Sequence, residues 1–340
     1  MKDSRVFLGI DVHKKTYAVT AISNNRVIKR TVMEACPQKL VRYCKKYFPN
    51  EKIISAYEAG FSGFVLHRVL IENQIENLVV HPAAIEVASR DRVKTDKRDS
   101  LKIATQLEAR RLKSIHIPTI EQEGYRAISR LREKLVKDRS RIGAQIKSFI
   151  NLNGIKRENY ERRISRRFIK NLLTLKETSE IVFYLQSMAK RWLSTDEEIS
   201  CVEEKLLVQA ESQKELEKIY RSIPGIGQII SRVLINELGD MSQFKNERAL
   251  FSFTGLTPQE YSSGEHIRQG HISRQGRAIL RKVLVQAAWL AIRKDAGLNK
   301  AFERISRKAG KKRAIVAIAR RLIGHARACL KKKEEYIYRG

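Results

Sequence analysis

The sequence predicts an α/β domain followed by a chain that is almost entirely helical. Three observations carry this prediction. Over the first hundred residues, short apolar runs of strand length alternate with helical patterns. From Ile128 to Phe149 a narrow apolar seam recurs at spacings of threes, fours and a seven. Beyond residue 221, Gly- and Pro-marked turns separate further helical stretches. The chain has 340 residues, enough for two or three domains, and 42% apolar content supports a core. The expected organisation is 1–115 as the α/β domain, 116–220 as a long helical region and 221–340 as a mostly helical C-terminal domain.

Arg5-Val6-Phe7-Leu8-Gly9-Ile10 reads as a buried strand running into Asp11. Thr16 to Ile22 and Arg26 to Val32 read as second and third strands, joined by the hairpin signal Asn24-Asn25. Pro37 opens a helix carrying Leu40, Val41 and Tyr43. Lys52 to Tyr57 forms a fourth strand running into Glu58, followed by a helix from about Phe61 to Ile71 and a strand at Leu78-Val79-Val80. Leu101, Ala104 and Leu107 then mark a helix that begins at Asp96. An antiparallel trio followed by β-α-β-α elements is a mixed sheet covered by helices. This order, with acids ending the first and fourth strands and opening a late helix, resembles the ribonuclease H-like fold of Holliday-junction resolvases.

Four acids organise this domain: Asp11, Glu58, Asp96 and Asp99. Asp96 and Asp99 are three apart and share a helix face. Taken singly, each is a surface carboxylate or a favourable first-turn charge. Brought together they would repel, so cations are needed between them. Oxygen-only donors suit Mg²⁺, and paired Mg²⁺ ions about 3.5–4 Å apart are the usual device for attacking phosphodiesters.

Charge narrows the partners. With 68 Lys+Arg against 37 Asp+Glu, the formal net charge is +31, spread along the chain, which argues for a polyanion. An anionic membrane competes, but no apolar run approaches the ~20 residues of a spanning helix. The first residues lack the apolar stretch of a secretion signal, so a cytoplasmic protein is expected. Four Cys are scattered without pairing and seven His show no ligand spacing, so neither a disulfide framework nor a zinc site is indicated.

In the middle region, Ile128, Leu131, Leu135, Ile142, Ile146 and Phe149 form a seam fit for a coiled coil, either a hairpin or a dimerising stalk. Its other faces carry Arg130, Arg139, Arg141 and further basic residues, read as nucleic-acid contacts. A second helix is expected from about Asp196 to Tyr220. Farther on, Ile223-Pro224-Gly225-Ile226-Gly227 turns into a helix whose exposed N–H groups could bind a DNA phosphate at Gly225 and Gly227, as in helix-hairpin-helix motifs. Tyr261-Ser262-Ser263-Gly264 precedes a basic, Gly-rich stretch with Arg268, Arg274 and Arg277. Helices follow from Ile279 to Ile292 and across 300–333.

Gly9-Ile10-Asp11-Val12-His13-Lys14, Tyr57-Glu58-Ala59-Gly60, Val93 to Asp99, Ile223 to Gly227, and Gly255-Leu256-Thr257-Pro258 leading to Tyr261-Ser262-Ser263-Gly264 together resemble one family over nearly the whole chain. It is that of the DEDD insertion-sequence transposases, bridge-RNA-guided recombinases related to the pilin-gene invertases. The resemblance implies that Asp11, Glu58, Asp96 and Asp99 bind Mg²⁺. It implies that Ser263 attacks DNA to leave a 5′-phosphoserine and a free 3′-OH. It further implies homodimers assembling to a tetramer, on which a structured bridge RNA pairs with donor and target DNA. Low aromatic content (7%) fits a protein that grips backbones rather than stacking on bases. Two other readings of the residues stand beside this one. The first is a metal-dependent Holliday-junction resolvase or nuclease in which Ser263 is structural, or else a site-specific invertase without an RNA guide; the second is a catalytically dead nucleic-acid scaffold.

Overall fold

The structure is a computed structural model that describes residues 5–86, 95–155, 164–176, 179–260, 269–273 and 276–338. By their internal packing, residues Met1–Ile117 and Pro118–Gly340 form two compact units.

The first unit is built on β1 (Arg5–Val12), whose alternation gives it two buried faces. It pairs antiparallel with β2 (Thr16–Ser23), and β2 pairs antiparallel with β3 (Arg26–Glu34). Asn24 and Asn25 join β2 to β3 with left-handed φ of 52° and 58°, as a two-residue hairpin requires. On its other side β1 pairs parallel with β4 (Lys52–Glu58), and β4 with β5 (Glu76–Val80). The order β3-β2-β1-β4-β5 is the mixed sheet expected of a ribonuclease H-like domain.

Val6, Leu8, Ile10 and Tyr57 point to one face, where they pack with Leu40, Val41 and Cys44 of α1 (Pro37–Tyr47) and Leu66 and Leu70 of α2 (Val65–Glu72). Phe7, Ile54, Ala56 and Val80 point to the other, against Ile103 and Leu107 of α3 (Asp96–Glu108). Gly9 lies on this second face. A Cβ there would collide with the Ser100 carbonyl oxygen and the Ala104 amide nitrogen, so only glycine lets the α3 backbone lie directly on β1. The buried hydroxyls of Thr20 and Ser100, 2.8 Å apart, tie the first turns of α3 to β2.

The second unit opens with α4 (Ile120–Leu152), started by a capping box between Thr119 and Gln122. After α5 (Arg166–Leu173), α6 (Glu180–Ser212) returns along it. The pairings Arg132 to Glu203, Leu135 to Val202, and Arg139 to Asp196 make α4 and α6 an antiparallel hairpin. Its far end is a cluster of Ile142, Ile146, Phe168, Leu185 and Trp192. Two expectations change here. The second helix starts at Glu180 rather than near Asp196, and it breaks at Gln213 before α7 (Lys214–Ser222). The seam is also filled from within the chain: Leu135, Ile142 and Ile146 are buried by α5 and α6, so a dimerising stalk on these residues is replaced by an intramolecular hairpin.

The remaining elements are α8 (Gln228–Leu238), α9 (Glu247–Thr254), the short antiparallel pair β6 (Pro258–Glu260) and β7 (Gln269–Ile272), α10 (Ala278–Lys294), α11 (Ala296–Ala309) and α12 (Lys311–Lys332). The helices share one apolar core with α7. Gly310, at φ 80°, divides the expected 300–333 helix into α11 and α12. The helices of the expected middle region and those of the expected C-terminal domain thus lie in one unit, joined by buried charges. Arg126 donates to the backbone carbonyls of Asn236 and Glu237, each at 3.1 Å. Arg130 grips the Glu237 carboxylate with two hydrogen bonds of 2.8 and 3.0 Å. Among the described residues no helix is long and apolar enough to cross a membrane.

Candidate active site

Parallel pairing of β1 and β4 places Ile10 opposite Tyr57. One residue farther on, Asp11 and Glu58 leave neighbouring strands on the face that α3 covers, with strand axes about 4.8 Å apart. The first turn of α3 brings Asp96 and Asp99 to the same edge, because Gly9 and the Thr20–Ser100 contact seat that helix over β1. Asp11 is largely buried and Asp96 exposed. Asp99 meets Lys102 at 3.5 Å, while Glu58 is exposed and has no ion pair among the described residues.

The electrostatics register this crowding. Burial pushes the Asp11 carboxyl above its ordinary range, the negative charges of Asp99 and Asp96 push in the same direction, and His13 opposes them. His13 is the site residue that the sequence reading missed. Its Nε2 lies 3.1 Å from Asp11 Oδ2 and 3.3 Å from Asp96 Oδ1. Asp11, His13 and Asp96 each offer one ligand atom, all within 4.8 Å of one another. A search for histidine spacing alone could not find this residue. The usable signal was its position two residues past an acid at a strand end, where period-two geometry puts both side chains on one face.

The donor set fits a divalent cation. Carboxylate oxygens converge, their like charges are not neutralised by any arginine among the described residues, and Asp11 is raised above its normal pKa by burial first and by the charges of Asp99 and Asp96 after it. Lone acids of a structural kind would not need to be brought together at the cost of this repulsion.

The residues expected to contact nucleic acid have varied settings. Arg130 is bound to Glu237, Arg139 to Asp196, and Arg141 to Asp138 at 2.9 Å. Gly225, at φ 81°, packs against α10, where a Cβ would strike the Ala287 carbonyl oxygen; this glycine serves helix packing. Gly227 is the exposed N-cap of α8, with open space around it. Arg277 is exposed at the start of α10, its guanidinium 5.8 Å from the Phe253 ring centre. Ser263, its neighbours Tyr261 and Ser262, and Arg268 and Arg274 lie outside the described residues. The chain to either side is drawn together. Ser273 N–H donates to the Thr257 carbonyl at 2.9 Å and Arg277 N–H to that of Phe253 at 3.1 Å. Gly276 and Gly255 cross so closely that a Cβ on either would strike the other's backbone.

Comparison with known proteins matches two stretches of the chain to transposase families. Residues 8–153 match the DEDD transposase domain of IS110-type elements, and residues 217–304 match the transposase IS116/IS110/IS902 family. A Sinorhizobium fredii protein described as a candidate transposase is 30% identical over 306 residues, covering 82% of this chain and 76% of its own length. The transposase for insertion sequence element IS1111A of Coxiella burnetii is 24% identical across 99% of this chain and 92% of its own. That of element IS1533 from Leptospira borgpetersenii is 25% identical across 84% and 85%. With both halves of the chain matched and a relative of that identity and coverage, the chain belongs to the IS116/IS110/IS902 family of transposases.

Proposed function

We propose that the chain cleaves and rejoins DNA for an insertion sequence, with Asp11, Glu58, Asp96 and Asp99 holding Mg²⁺ and Ser263 as the nucleophile. The observation that carries this reading is the gathering of carboxylates at one sheet edge of a protein with +31 net charge, without an arginine among the described residues to neutralise them. When bound, the cation withdraws charge from the scissile phosphate and favours the ionised serine hydroxyl.

The residues of the chain supply the rest. Asp11, half-buried at the end of a central strand, is the rigid donor, and α3 delivers Asp96 and Asp99 as a unit. Ser263 Oγ forms a bond to phosphorus as its proton passes to solvent, and the bond to the 3′-oxygen breaks, that oxygen taking a proton from solvent. A 5′-phosphoserine and a 3′-OH result. Because the phosphodiester energy is kept in the serine ester, rejoining needs no ATP. Arg268 and Arg274 follow Ser263 in sequence and would neutralise the phosphate. Sequence choice is assigned to a bridge RNA that pairs with donor and target DNA, which leaves the protein to grip backbones. The two halves of the site come from different subunits of a tetramer. That assembly must use surfaces other than Leu135, Ile142 and Ile146 of α4, which are covered within the chain.

The test is a denaturing gel of DNA reacted with the full chain, its co-purifying RNA and Mg²⁺. A protein–DNA adduct should appear, vanish in Ser263→Ala and persist in Ser262→Ala. Nicking by Ser263→Ala with no adduct from any variant would replace the serine reaction with water-driven cleavage. RNA absent from active preparations would remove the guide.

A further inference from the structure

We propose that His13 is itself a ligand of the cation, so that the site has a nitrogen donor among its oxygens and favours Mn²⁺ over Mg²⁺ more than four carboxylates alone would. This rests on the reading of the acidic cluster as the cation site.

The geometry is specific. One atom, Nε2, lies 3.1 Å from an oxygen of Asp11 and 3.3 Å from an oxygen of Asp96. A ring nitrogen carries at most one proton, so the two oxygens can share it only as a bent three-centre bond, weaker to each. Hydrogen bonding therefore serves both contacts poorly, whereas a cation between the three atoms would engage all of them directly. An octahedral cation bound at about 2.1 Å sets adjacent ligand atoms about 3 Å apart, close to both measured separations.

The backbone holds the imidazole there. β1 ends at Val12, and the His13 N–H donates to the Thr16 carbonyl at 2.9 Å, closing the turn into β2. Asp11 lies in β1 and His13 just beyond its end, and the two contacts of the imidazole place it toward the start of α3, where Asp96 stands. Carboxylates bind Mg²⁺ and Mn²⁺ alike, but imidazole favours transition metals. A nitrogen ligand thus shifts preference without changing the charge of the carboxylate set.

The probe is Mn²⁺ added to the full-length protein. Bound metal is counted from the loss of the free-ion EPR signal, and pulsed EPR reads any directly bound nitrogen. Wild type should show that nitrogen. His13→Ala should lose it and bind Mn²⁺ about tenfold or more weakly, the scale seen for disrupted metal sites, while Mg²⁺ affinity by calorimetry falls less. His13→Gln, which retains bulk, gives the same readout if the alanine variant fails to fold. Mn²⁺ bound without nitrogen coupling, or coupling that survives both substitutions, overturns the role of His13 and leaves the carboxylate site standing. A wild-type protein that binds neither Mn²⁺ nor Mg²⁺ overturns both.

Discussion

The two units treat carboxylates in opposite ways. In the helical unit, fully buried Glu237 is gripped by Arg130 and backed by Arg126, and Glu217 is held by fully buried Arg232 with Nε to Oε2 at 2.6 Å. In the sheet unit, Asp11, Asp96 and Asp99 stand near one another with His13 and Lys102 as their only ion-pair partners among the described residues, and Asp11 is raised above its ordinary pKa. Arginine is not scarce in this chain, so the difference is one of placement. Where a carboxylate holds the fold together, cationic side chains meet it. Where carboxylates are left facing one another, the neutralising charge has to come from outside.

The largest expected effect separates these roles by chemistry. Asp11→Asn should reduce strand cleavage roughly 10³-fold, about 4 kcal/mol of barrier, while binding of nucleic acid in a filter assay stays nearly intact. Equal loss of both would make Asp11 a structural residue like Glu237.

Next comes Arg130→Ala. It leaves the buried Glu237 carboxylate short of its main partner and should cost about 3–5 kcal/mol of stability by denaturant unfolding. If Arg130 instead served nucleic acid, stability would hold and the slope of log affinity against log salt would shrink by about one.

Gly9→Ala tests how the acids are assembled. The added methyl pushes on the α3 backbone, so about 1–3 kcal/mol of stability should go, together with any thermal stabilisation by Mg²⁺. A variant that keeps the Mg²⁺ response would show that α3 need not lie on β1 to present Asp96 and Asp99. Thr20→Val removes only the hydroxyl contact with Ser100 and should cost about 1 kcal/mol by the same measurement.

Much of the sheet unit was legible because strands and first-turn acids are local patterns. Asp11 and Glu58 end apolar runs, and Asp96 and Asp99 share a helix face, so these positions could be named before Asp11, Asp96 and Asp99 were seen to gather. The route by which α3 reaches β1 was not legible. It depends on a missing side chain, Gly9, against a backbone ninety residues later. The basic helix misled for a related reason. Arg130 and Arg139 look like free cations until Glu237 and Asp196 arrive from 107 and 57 residues away. The seam was correctly apolar, but period alone cannot say whether its partner belongs to the same chain.

The smallest effect concerns pH without added metal. The folded Asp11 carboxyl binds its proton more readily than the unfolded one, so its ionisation costs stability near neutrality. That cost should fade as pH drops through the folded value. Asp11→Asn should therefore stabilise the protein slightly at pH 7, and less at acidic pH, by calorimetric Tm.

The most direct measurement is the Tm of the wild-type chain against Mg²⁺ concentration, alongside Asp11→Asn and Glu58→Gln. A cation that binds the folded state raises Tm with concentration. Wild type should show a saturable rise that Asp11→Asn abolishes and Glu58→Gln weakens. A wild-type Tm indifferent to Mg²⁺ and Mn²⁺, or a rise equal in all three proteins, would contradict a cation site at these carboxylates.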